Sequence, residues 1–254
     1  MAFHVKTDFS GLTEVTGLTA ALVIKDANEN GSIEKYQPRG LDGSFLTIEV
    51  FGADMSPTNS FGIKAPGFSV AANAIKLNSC KTVNLGTQQA ADNHTFALES
   101  FQITTSAGSA PTMSAAMKEI EATATDANQC HYAVPAFSVS SKHHAQILFG
   151  AFALTGAGCT LTECSATVGC TVNQDKVAGV KIGSDANSGV ITVTATILQT
   201  GSTKPTVTLP EGCGFVQTAP LTCSNPETAY KSWTCEFQRI LTKTEPTGSG
   251  SSDS

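Results

Sequence analysis

Residues Val190–Leu198, VITVTATIL, alternate without a break. Ile191, Val193, Ala195 and Ile197 fall on one parity; Val190, Thr192, Thr194 and Thr196 fall on the other. Successive side chains of an extended chain point to opposite faces, so the stretch predicts a half-buried β-strand with one aliphatic and one threonine-rich face. The same period of two recurs in Leu18–Ile24, Phe45–Phe51, Thr95–Ile103, Val134–Val139, Gln146–Leu154, Ser165–Val172, Val177–Ile182, Pro205–Leu209, Gly214–Val216 and Ser232–Leu241. Turn chemistry separates these runs at Asp26–Gly31, Leu41–Gly43, Asp185–Gly189 and Gln199–Gly201. Many short β-branched strands with frequent turns predict an all-β fold, mainly an antiparallel sandwich or barrel.

One segment departs from this pattern. Met113, Ala116, Met117 and Ile120 stand at i, i+3, i+4 and i+7, with Pro111 and Ser114 suited to a first turn. The spacing predicts one short helix near residues 112–122. The alternation Met113, Ala115, Met117 would equally suit an edge strand. Residues 122–129 (ATATDANQ) read as a loop and the best candidate boundary. The expected organisation is a β-rich half over 1–125 and another over 126–245, either separate or one continuous domain, with a flexible tail over 246–254. Asp26-Ala27-Asn28 and Asp185-Ala186-Asn187 each follow an aliphatic stretch. A repeated turn chemistry explains this echo as well as a duplication does.

Composition narrows the function. The 254 residues carry 15 Lys plus Arg against 21 Asp plus Glu, a formal net charge of −6. Only 14% of residues are charged, where a typical soluble domain has about 25%. Thr (33), Ser (24), Ala (31) and Gly (22) together make up 110 residues. Scattered, outnumbered cations argue against sequence-specific nucleic-acid binding. No apolar run reaches the roughly 18 residues of a membrane helix, so no membrane insertion is expected. Met1–Phe9 lacks a basic start and apolar core, which predicts cytoplasmic synthesis without a signal peptide.

Chemistry-bearing residues are few. Of the eight cysteines, Cys80 stands alone; Cys130, Cys159, Cys164, Cys170, Cys213, Cys223 and Cys235 crowd the second half. Mostly buried free thiols are expected, ahead of bridges formed after release or a zinc site. Zinc would want Cys pairs with two to four residues between them, and only Cys159/Cys164, with four, reaches that range. Cys164 and Cys170 would share a strand face, while Cys159 would point away unless a turn intervenes. Asp26-x-Asn28-x-Asn30-Gly31 opens like a calcium loop, but position twelve is Gln37, a neutral amide. His143-His144 and Cys130-His131 have no partner carboxylate defined by spacing. Trp233, the single tryptophan, is expected in the core. Nucleophile-elbow, zinc-protease and phosphate-loop motifs are absent, and Gly212-Cys213-Gly214 is too short for a dinucleotide loop. No catalytic, cofactor-binding or metal residue is therefore assigned, no cofactor is expected, and the chain is read as not an enzyme.

So few charges suit a surface that neighbouring subunits cover. Here a resemblance bears on the reading. Leu161–Leu198, with its Asp175–Gly179 turn and its Asp185–Gly189 turn leading into a threonine-alternating strand, resembles phage and prophage virion structural proteins of the tail. Cys130–Leu154 and Leu221–Leu241 resemble phage-encoded proteins as well. The resemblance implies a tail-tube-like β barrel or sandwich with a flanking helix and long oligomerisation loops, stacked as rings. The helix near Thr112 and the long loop Met55–Phe68 fit that description. It implies a homo-oligomer contacting other particle subunits, a working site in the virion, and no catalytic residues. The alternative is a secreted or cell-surface β-sandwich binding or adhesion module.

Overall fold

The structure, a computed structural model, describes residues 23–24, 47–52, 69–84, 93–107, 112–140, 146–150, 153–177, 180–224 and 230–246. The fold is all-β and antiparallel. A nine-stranded sheet runs β1 (Val23–Ile24), β2 (Thr47–Gly52), β7 (Thr112–Ile120), β6 (Asn93–Ser106), β12 (Cys159–Val177), β13 (Val180–Gln199), β16 (Lys231–Ile240), β15 (Val216–Cys223), with β5 (Cys80–Asn84) also paired to β6. Smaller sheets join β3 (Ser69–Val70), β9 (Phe137–Ser140) and β10 (Gln146–Phe149); β4 (Lys76–Leu77), β8 (His131–Ala133) and β17 (Lys243–Thr244); and β11 (Ala153–Thr155) with β14 (Thr206–Thr208).

Val190–Leu198 behaves as its alternation requires. Ile191, Val193, Ala195 and Ile197 are buried, and the Thr192, Thr194 and Thr196 face is outward. Its register with β12 and β16 extends that division across the sheet. Ile103, Ala166, Val193 and Phe237 form one fully buried row. The neighbouring outward row is Thr104, Ser165, Thr194 and Glu236. The buried face packs on the smaller sheets through an aromatic chain. Phe101 of β6 stacks on Phe137 at 6.3 Å between centroids, Phe137 meets Phe149 at 5.2 Å, and Phe149 meets Phe215 at 5.7 Å. Such offset pairs hold layers together beyond the area they bury.

The expected helix near residues 112–122 is not formed: Thr112–Ile120 is the strand β7. Nor is it an edge strand, since Val50 pairs with Ala115 on one side and Phe101 with Ala115 on the other. An eleven-residue helix is marginal alone. A strand at this position gains two hydrogen-bonded ladders, and tertiary pairing overrides the helical spacing. No helix among the described residues is long and apolar enough to cross a membrane. The loop expected over 122–129 is present, within residues 121–130, and the large sheet takes strands from both sides of it, because β6 is bonded to β12.

The Asp185–Gly189 stretch is not a turn. β13 runs through it, absorbing the irregularity in a bulge where Ser188 takes a left-handed φ of 58°. Beyond Gly169, β12 leaves β6, because β5 takes the adjoining position from Ala97 onward. From Thr171↔Asn187 to Val177↔Val180, β12 and β13 then pair only with each other among the described residues. The pairs beyond the buried Val172 and Ala186, Asn173↔Asp185 outward, make a two-stranded arm. Five such pairs at the usual strand rise extend about 16 Å.

Ile191→Ala, in the buried row of β13, is expected to cost about 2–5 kcal/mol, and Thr194→Ala on the outward face less than about 1 kcal/mol. Chemical denaturation midpoints measure both, and equal losses would contradict the assignment of faces.

Candidate functional site

Among the described residues, a dense set of interacting polar groups lies at the root of the arm, where residues 121–130, β8 and β17 meet β13. The Cys130 thiol donates to Asp185 Oδ1 at 3.0 Å, and Lys243 Nζ donates to the same oxygen at 2.9 Å. Glu245 Oε1 lies 3.6 Å from Lys243 Nζ. Tyr132 OH donates to the Ala186 carbonyl at 3.2 Å. Gly189 lies under the Tyr132 ring: a Cβ there would stand 2.3 Å from Cδ1, so only glycine fits. Ser184 Oγ donates to Gln129 Oε1 at 2.8 Å, and Gln129 Nε2 donates to Glu121 Oε1 at 3.3 Å. Asn78, fully buried, donates from Nδ2 to the Cys130 carbonyl at 2.9 Å.

The opposite strand of the arm is held at the same level. Lys118 Nζ donates to the Val172 carbonyl at 2.5 Å, and Glu99 Oε1 accepts from the Val172 amide at 3.4 Å. Lys118 and Glu99 are themselves 3.8 Å apart. The root is thus clamped by side chains on both strands.

Electrostatics decide what this cluster can do. Burial pushes the Cys130 thiol up, and its hydrogen bond to the Asp185 carboxylate pushes it further. A reactive cysteine is favoured by a depressed value beside cations, whereas Cys130 is raised and held as a hydrogen-bond donor. Burial raises Asp185, but the Cys130 and Lys243 hydrogen bonds outweigh it and leave the carboxyl below its ordinary range. The hydrogen bond to Asp185 is the main reason that Lys243 is raised. The arrangement positions the arm.

His131, adjacent to Cys130, is buried with Nε2 2.7 Å from the Asp126 carbonyl. A carbonyl only accepts, so Nε2 carries the proton. Cys130 and His131 therefore make separate bonds, Cys130 to distant Asp185 and His131 to nearby Asp126. Trp233 is buried, donating from Nε1 to Gln199 Oε1 at 2.7 Å, with Lys204 Nζ 5.7 Å above its ring. Cys164 and Cys170 share the buried side of β12. A bulge at Thr162 changes the parity between Cys159 and Cys164. Gly212 and Gly214 flank Cys213, whose carbonyl accepts from Arg239. Asp26, Asn28, Asn30, Gln37, His143, His144, the Met55–Phe68 loop, the Met1–Phe9 start and residues 247–254 lie outside the described residues.

All eight cysteines are free thiols, four of them buried. No group of three or more His, Cys, Asp or Glu among the described residues could hold a metal ion. Spacing gave no hint of Asp185 or Lys243 as partners, because they lie 58 residues apart. Comparison of the chain with protein-family models, with curated proteins and with solved structures gives no match.

Burial raises Cys164 and Cys170 to about 12 and Cys235 to about 11. Under native conditions a thiol reagent is expected to modify the half-buried Cys80, Cys159, Cys213 and Cys223 first, and Cys130, Cys164, Cys170 and Cys235 only on unfolding. Rapid native labelling of Cys130, read by peptide mass mapping, would contradict the geometry.

The Asp185–Lys243 pair has a definite pH signature. A lowered Asp185 contributes fully above its unfolded value and loses that contribution as pH falls through the lowered folded value. A raised Lys243 contributes fully below its unfolded value and loses that contribution only in strong alkali. Because both side chains are partly exposed, Lys243→Met should cost no more than about 1 kcal/mol. The gap from the parent should stay constant between about pH 5 and pH 9 and close below about pH 4. Melting curves across that range check it, and an undiminished gap at low pH would contradict the assignment.

Proposed function

We propose that this chain is a non-enzymatic structural subunit of a phage-type particle, a tail-tube-like protein that works by self-assembly with copies of itself and other particle subunits. The observation that carries the reading is the arm. Two strands, Asn173–Val177 and Val180–Asp185, leave the sheet with neither outer edge paired among the described residues. A lone two-stranded ribbon is marginal in water, and exposed edges template pairing with another chain. An arm clamped at its root by hydrogen bonds on both strands is suited to reach a neighbour in a fixed direction.

The outward face supports the same reading. Across β6, β12, β13 and β16 it presents Gln102, Thr104, Ser165, Thr167, Thr192 and Thr194, with Glu163 and Glu236 as acids and no Lys or Arg in these rows. A large hydroxyl-rich surface with so few charges suits close, hydrogen-bonded packing between subunits better than it suits a solitary soluble protein. The resemblance of Leu161–Leu198 to tail proteins supplies the phage attribution, and with it synthesis in the cytoplasm and work in the virion.

Size-exclusion chromatography with light scattering, followed by negative-stain microscopy, tests the proposal. The expected outcome is rings, tubes or oligomers that grow with concentration. A strict monomer at high protein concentration would overturn it.

A further inference from the structure

We draw no further inference here: the strongest candidate, the exposed apolar patch of Val216 on β15 and Ile240 on β16 at one edge of the large sheet, carries nothing because nothing in the structure shows what covers it.

Discussion

The constraint on which the fold depends is that β13 is bonded on both sides through Val190–Gln199, to β12 and to β16. Its period-two pattern must satisfy two registers at once. A slip of one residue would turn Thr192, Thr194 and Thr196 into the core and expel Ile191, Val193, Ala195 and Ile197. Each buried hydroxyl left without a partner would cost about 1–3 kcal/mol. The strict alternation of VITVTATIL locks the centre of the sheet, and the rows through Ala166, Phe237 and Ile103 follow from it.

The arm arises from a local departure from that regularity. The register of β6 with β7 shifts between Leu98 and Ser100, skipping Glu99. Just beyond, Ala97 pairs with Cys80 of β5, so the position that β12 held through Gly169 is taken. Glu99 then serves the departing strand, its carbonyl accepting from the Cys170 thiol and its carboxylate from the Val172 amide. One bulge thus ends one ladder and anchors the root of the arm. Acid, thiol and lysine there are held in place by hydrogen bonds, and the Cys130 thiol is pushed up by burial and by its bond to Asp185.

Much of this was legible in the sequence because alternation is a local signal. The faces of β13 and the shared side of Cys164 and Cys170 follow from parity, and the burial of Trp233 from the size of its apolar ring. Three features were not. Thr112–Ile120 carries a helical spacing and a strand alternation together, and only the neighbours β2 and β6 decide between them. Asp185-Ala186-Asn187-Ser188-Gly189 has the composition of a hairpin turn, yet the ladder to β12 carries it through as a bulge, which lengthens the hairpin into an arm. Cys130, Asp185 and Lys243 come from separate parts of the chain, so no spacing could announce them. Parity says which way a side chain points, and it is silent about which distant strand arrives beside it.

The clamp on Asp185 also has a consequence for timing. Lys243 follows Asp185 by 58 residues. At the usual synthesis rate of about 5–20 residues per second, this is a delay of roughly 3–12 s. During that interval the arm exists without its bond to Lys243. A subunit still being made therefore holds the arm by its earlier contacts, from Lys118, Glu99, Gln129 and Cys130, and gains the Lys243 contact last. The order of residues along the chain thus makes the arm first and adds the Lys243 contact afterwards.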